Sequence, residues 1–337
     1  MQPQHAPATL PGATVDAYNA EIRDESGFVG DHATNRAFQS ILCQWRERLR
    51  AAGEDPLGDR ATEDISRRRL EQVLLHGDPE AAGLVLSAVE EFAQELVRVC
   101  RRLLALDAWA DTQRIAVGGG FRASRLGELA IGRAGVLLRA AVGVEMRPIH
   151  HDPDQAGLLG AAMLAPGGIA AEQAVLAVDI GGSKIRVGRV GRSDQGDALR
   201  VLDTAIWAHA EERPDRGEAV GRLAGMLRAM ADKAGDDPAR SLAPFVGIGC
   251  PGLIRNDGTI ARGGQNLPGD WEAPGFNLPQ QLTQHLPPIQ GRTPLVLLHN
   301  DAVAQGLSEA AWMQDVRRWG IFTIGTGLGN ARFTNRG

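Results

Sequence analysis

Three short glycine-rich segments could do chemistry: Gly118-Gly119-Gly120, Gly181-Gly182-Ser183 and Gly325-Thr326-Gly327. Each follows an apolar run that reads as a buried strand. Glycine at such a point carries no Cβ, so backbone N–H groups can approach an anion closely. Three such turns, two with a hydroxyl, suit a polyphosphate held between two lobes. None has the GxxxxGK[ST] spacing of a Walker loop, and none is a GxGxxG opening a helix. Two carboxylates occupy similar strand-end positions. Asp179 follows the apolar run 174–178, and Asp301 follows the run 295–298 beside Asn300. Asp301 equally suits the start of a helix, where Asp caps well. Lys184, one of two lysines among 36 basic residues, faces either phosphate or solvent.

The elements that must position these residues can be read from periodicity. In 33–52, Phe38, Ile41, Leu42, Trp45 and Leu49 make one apolar helical stripe, with Gly53 as its stop. A helix is expected over 62–76. Asp78-Pro79 supplies an N-cap and first-turn proline for a long helix over 79–105. A buried strand, 114–117, runs into Gly118. A helix (123–141), a strand (144–149) and a helical segment (155–164) follow. Pro166-Gly167-Gly168 reads as a linker. The run 174–178 suits a sheet strand covered on both faces, and Ile185–Val190 suits a second strand across a tight turn. A helix near 216–234, strands at 244–249 and 295–298, a helix at 302–312, and strands at 321–324 and 330–335 complete the pattern. This is an α/β chain with mixed sheets.

Size and composition bound the rest. A single core stops growing near roughly 250–300 residues, so 337 residues predict two lobes. Apolar residues at 43% and charged residues at 23% are globular values. A net charge of −5 argues against general affinity for nucleic acid or an anionic membrane. Cys43, Cys100 and Cys250 lie far apart, with neither disulfide framework nor zinc spacing. No apolar run reaches the ~18 residues of a membrane span, and the start does not read as a signal peptide, so a cytoplasmic protein is expected. Residues 1–16, rich in Pro, Ala, Thr and Gly, read as a loose tail.

The motifs carry a resemblance. Leu176-Ala-Val-Asp-Ile-Gly-Gly-Ser-Lys-Ile-Arg-Val-Gly188 resembles the first phosphate motif of the ROK sugar kinases, within the actin/hexokinase/Hsp70-type ATPase superfamily. Gly247-Ile-Gly-Cys-Pro-Gly252, Gln265-Asn-Leu-Pro-Gly-Asp-Trp271, Asn300-Asp-Ala302 and Thr323-Ile-Gly-Thr-Gly-Leu-Gly329 resemble the next four motifs, in family order. Arg114-Ile-Ala-Val-Gly-Gly-Gly120 resembles the family's adenosine loop, and Asp154–Ala162 its last helix. Those two segments ordinarily follow the GTG motif and here precede the first one, which a circular permutation explains.

The resemblance implies a two-lobed, actin-like (ribonuclease H-like) ATPase fold, circularly permuted. One lobe would combine 17–155 with 301–337, and the other would be 172–300, with 156–171 as helix and linker. It implies ATP-dependent phosphorylation of a sugar or sugar-like hydroxyl, with Asp301 as general base. Gly181, Gly182, Ser183, Lys184, Gly325, Thr326, Gly327 and Gly118–Gly120 would hold ATP, and Asp179 would orient Mg²⁺ through water. Gly252, Asn266, Leu267 and Asn300 would contact the sugar. A small-molecule sugar is the expected partner and a homodimer the candidate assembly, with no nucleic acid and no membrane. The family's Glu-x-Gly-His segment and Cys-rich zinc loop are missing, so no zinc is expected. Glu25-Ser26-Gly27 and Gly30-Asp31-His32 are the candidate replacements. Two other readings stay open: a sugar or nucleotide sensor without catalysis, and a ROK-type repressor with an N-terminal DNA-binding segment.

Overall fold

The computed structural model describes residues 4–25, 27–166, 174–193, 196–233 and 241–336. Most of the expected linker, 167–171, therefore lies outside the described residues, as does Ser26. The chain divides into two compact units. The first joins Met1–Asn19, Asp154–Arg317 and Phe333–Gly337; the second joins Ala20–Pro153 and Arg318–Arg332.

The described residues of the expected tail, from 4 onward, are not loose. Strands β1 (Thr9–Leu10) and β2 (Ala13–Tyr18) pair antiparallel, and Ala6 is buried, its N–H donating to the Leu298 carbonyl at 2.9 Å. The period-2 pattern Ala13-Thr-Val-Asp buries Ala13 and Val15 on one face, which is what a half-covered strand requires. The Arg336 N–H donates to the Gly12 carbonyl at 3.0 Å, so the two chain ends meet within the first unit.

The second unit is built on a helical layer. After the short pair β3 (Arg23–Asp24) and β4 (Gly27–Phe28) come α1 (Asn35–Ala52), α2 (Arg67–His76) and α3 (Pro79–Leu104). Their starts are set by side-chain caps from Thr34, Ser66 and Asp78, each accepting from a backbone N–H. The Ser66 cap explains why the helix expected over 62–76 is divided: Thr62–Asp64 forms a separate 3-10 turn. Next come β5 (Arg114–Gly118), α4 (Arg125–Val142) and β6 (Glu145–Pro148). Phe38, Phe92 and Phe121 meet at the centre of this unit's core, with ring centroids 4.7–5.7 Å apart.

The first unit continues with α5 (Pro153–Ala162), β7 (Ala174–Ile180), β8 (Ile185–Ser193), β9 (Gly196–Trp207), α6 (His209–Glu212) and α7 (Arg216–Asp232). It proceeds through β10 (Leu242–Cys250), β11 (Leu253–Ile254), β12 (Ile260–Arg262), α8 (Leu278–His285), β13 (Leu295–Asn300) and α9 (Asp301–Glu309). Its sheet has the order β13-β10-β7-β8-β9, with β13, β10 and β7 parallel and β7-β8-β9 an antiparallel meander. Helix α5 lies directly against backbone. A Cβ at Gly160 would fall 1.5 Å from the Ala304 carbonyl oxygen, and one at Gly247 1.9 Å from that of Ala161. Residues 301–317 were expected with 17–155. They belong instead with 154–300, because α9 packs on β10 and β13.

The last strands, β14 (Arg318–Ile324) and β15 (Leu328–Asn335), complete a six-stranded sheet of order β1-β2-β15-β14-β5-β6. β14 pairs parallel with β5, from Trp319 opposite Arg114 to Thr323 opposite Gly118. A strand followed by only one neighbour needs partners from elsewhere in the chain, and here they come from some 200 residues earlier.

Candidate active site

The three parallel strands of the first unit end together. Asp179 lies opposite Gly249, Gly249 opposite His299, and Cys250 opposite Asn300, so Asp179 and Asp301 both stand at the carboxyl edge of the sheet. Ligands of open α/β sheets collect at that edge. Asp301 begins α9, and the cap expected of it is supplied by Asn300, whose Oδ1 accepts from the Ala302 and Val303 N–H groups.

Electrostatics divide the two carboxyls. Burial, then the Asp179 charge, push the Asp301 pKa up to about 7, against the N–H groups of Ala302 and Asp301 itself. Burial also raises the Asp179 pKa, as does Asp154, while Arg186 opposes both. Arg186 Nη1 donates to Asp179 Oδ2 at 3.1 Å, and its Nη2 donates to Asp154 at the start of α5. Gly157 is part of this fit, since a Cβ there would come within 2.4 Å of the Asp179 carboxyl carbon. Cys250 lies in the same row, but burial and the two aspartates hold its thiol protonated, which excludes it as a nucleophile.

The residues expected to touch a sugar separate. Asn300 is buried, and its Nδ2 donates to the Gly252 carbonyl at 2.9 Å. Its amide is therefore turned inward, as a buried amide must be to satisfy its donors and acceptor. Gly252 is a turn position at φ +102°, packed against Gly263 and the Arg262 carbonyl. Leu267 lies in the core, whereas Asn266 is exposed. Glu25 and His32 are also exposed, both in the second unit.

The phosphate-loop residues are found at two places, one in each unit. In the first unit, Gly181–Lys184 forms the turn between β7 and β8. The Gly181 N–H donates to the Lys184 carbonyl, and the Gly181 carbonyl contacts His209 Nε2 at 2.9 Å. Gly182 is half-buried, and Ser183 and Lys184 are exposed. In the second unit, β5 and β14 deliver Gly118–Gly120 and Gly325–Gly327 to one sheet edge. Gly119, at φ +80°, packs on the Ile324 backbone, and the Phe121 N–H donates to the Ile324 carbonyl at 3.0 Å. By contrast, Gly120, Gly325 and Gly327 have conformations open to any residue, and nothing lies within 4 Å of where a Cβ would stand. Neither backbone strain nor packing requires glycine at those three positions.

Among curated proteins, the chain is 32% identical over 166 residues to a glucokinase from Thermotoga maritima. The match covers 48% of the chain and 44% of the glucokinase, so it spans less than half of its relative. It agrees with the resemblance to ROK sugar kinases carried by the motifs. A solved ROK hexokinase from Thermus thermophilus is 25% identical, with a TM-score of 0.34 over 47% of this chain and 45% of that one. An exopolyphosphatase from Cytophaga hutchinsonii is 14% identical, with a TM-score of 0.26 over 48% and 50%. No family model matches the chain.

Sequence reasoning missed Arg186, Asp154, Gly157 and His209. For Arg186 the signal was present. A four-residue turn at 181–184 pairs Ile180 with Ile185, and therefore Asp179 with Arg186 across the hairpin. The other three owe their positions to tertiary packing.

Proposed function

We propose that the protein transfers the γ-phosphoryl group of ATP to a hydroxyl of a sugar or sugar-like molecule, with Asp301 as general base. The observation that carries this reading is Asp301 itself. It is a partly buried carboxyl at the carboxyl edge of parallel strands, held near neutral pKa by burial and then by the Asp179 charge. Such a group can take a proton at physiological pH and return it. In the step, Asp301 accepts the hydroxyl proton as the oxygen attacks phosphorus, the bond to the bridging oxygen breaks, and ADP leaves. Asn300 serves as a positioning residue: its cap and its bond to Gly252 fix the first turn of α9 and with it the Asp301 backbone.

The site chemistry fits Mg²⁺. Two carboxyls that repel each other gain from a cation, and Mg²⁺ is commonly held by one or two carboxylates plus phosphate oxygens. Asp179 would hold it through water; bound there, Mg²⁺ would neutralise charge on the phosphates. Arg186 opposes the burial that raises the Asp179 pKa and orients its carboxyl for that task. The glycine loops would supply backbone donors to the phosphates, and glycine at 120, 325 and 327, which the fold does not require, supports a ligand's close approach.

Circular permutation of a ROK-type chain is part of the proposal. It is supported by the parallel pairing of β5 with β14, by the meeting of residues 12 and 336, and by identity that runs through only half of the chain. A collinear alignment can follow a permuted relative through one half only. The repressor reading is weaker. Among the described residues no strand interrupts the helices of 35–104, so a winged DNA-binding segment has no wing there.

The test incubates the protein with ATP–Mg²⁺ and a panel of hexoses, amino sugars and polyols. ADP release and the mass of the sugar product are followed. The proposal expects a sugar-dependent rate with a phosphorylated product. Nucleotide binding without turnover on any member would favour the sensor.

A further inference from the structure

Arg67 joins the two glycine loops of the second unit. It is the first residue of α2, far in sequence from both loops, and its guanidinium is directed between them. Nη1 donates to the Gly120 carbonyl at 2.6 Å, and Nη2 donates to Asn35 Oδ1 at 2.6 Å. Asn35 in turn donates its backbone N–H to the Gly325 carbonyl at 3.0 Å. One guanidinium therefore holds the loop after β5 directly and the loop after β14 through one intermediary. The guanidinium also lies over the Phe121 ring, 5.4 Å from its centroid, and Phe121 belongs to the aromatic core beneath the first loop. Its planar fork suits it to serve two acceptors at fixed angles, which an ammonium cannot do.

We infer that Arg67 and Asn35 form a clamp that sets the spacing of Gly118–Gly120 and Gly325–Gly327, and that this clamp governs nucleotide affinity. The inference rests on the reading of these loops as the ATP site and names the residues that preorganise it. Both carbonyls are occupied by these donors. The N–H groups near Gly120 and Gly327 are then left for phosphate or adenosine oxygens, without repulsion from carbonyl oxygens. Arg67 is a positioning residue, and nothing in the sequence motifs points to it.

The test compares wild type with Arg67→Gln, Arg67→Lys, Asn35→Ala and the Arg67→Gln/Asn35→Ala double variant. Affinity for a fluorescent ATP analogue, KM for ATP, KM for sugar and the melting temperature are read together. Loss of a charge-assisted hydrogen bond supports a weakening of nucleotide binding by about tenfold in Arg67→Gln and in Asn35→Ala. The double variant should lose little more than either alone, because the two residues act as one unit. The KM for sugar should stay within about twofold, and Arg67→Lys should restore binding in part. If Arg67→Gln fails to fold, Asn35→Ala carries the same prediction. Wild-type nucleotide affinity in a folded Arg67→Gln or Asn35→Ala variant would overturn the clamp alone. Equal losses for sugar and nucleotide would also overturn it, as the signature of general damage. A wild-type protein that binds no nucleotide would overturn the phosphate-loop reading, and the clamp with it.

Discussion

The N–H groups of Ala302 and of Asp301 itself favour the Asp301 charge, yet its pKa rises to about 7, because burial and Asp179 outweigh them. This fixes the sign of two pH effects. Acting as the proposed base, Asp301 should give kcat/KM an ascending limb centred near pH 7, measurable with saturating ATP–Mg²⁺ and subsaturating sugar. Between pH 3.8 and about 7, the folded state retains a proton that the unfolded chain has released, so this residue's contribution to stability falls as pH rises. Asp301→Asn should cut turnover ~10²–10⁴-fold. Nucleotide affinity should be retained, and above pH 7 the melting temperature should be no lower than that of wild type. A melting temperature well below wild type there would mean that the carboxylate is needed for folding. Residue type and strand end made Asp179 and Asp301 legible in the sequence. The inward turn of Asn300 was not legible, since hydrogen bonding by a buried amide depends on what surrounds it.

Two kinds of glycine separate at the level of elements. Gly160 lies where α5 meets α9, and any side chain there overlaps the Ala304 carbonyl. Gly160→Ala should therefore destabilise the protein by about 1–3 kcal/mol in urea titration, in the range of an overpacked core. Gly327 follows β14 with open space around it. Gly327→Val should leave the urea midpoint unchanged and weaken ATP about tenfold, as a Cβ in the path of a phosphate would. If Gly327→Val instead unfolded the protein, the loop would be structural. Helices with strong caps, such as α3 behind Asp78-Pro79, were legible from local signals alone. β9 was not: its residues alternate between partly covered and exposed on the edge of the sheet, and Leu202 and Ile206 face outward, blurring the period-2 pattern. β2 was read as part of a tail because the strand it completes, β15, lies at the opposite end of the chain.

For the whole molecule, circular permutation would make sequence order and spatial order independent. Residues 12 and 336 are hydrogen-bonded, so joining the ends through a short Gly/Ser linker and reopening the chain within 167–173 should give a reordered protein. That protein should melt within a few degrees of the original and bind nucleotide equally. A reordered chain that does not fold would count against permutation. The two-lobed division was legible from length, but the assignment of α9 was not, because a helix after a strand end can pack on either neighbour. The central claim is phosphoryl transfer to a sugar hydroxyl with Asp301 as base. It is tested most directly by following labelled γ-phosphate from ATP onto sugar, with wild type and Asp301→Asn side by side. Wild type should give labelled sugar phosphate, and Asp301→Asn at most a trace at matched nucleotide occupancy. Equal labelling by both proteins, or label appearing only as free phosphate, would contradict it.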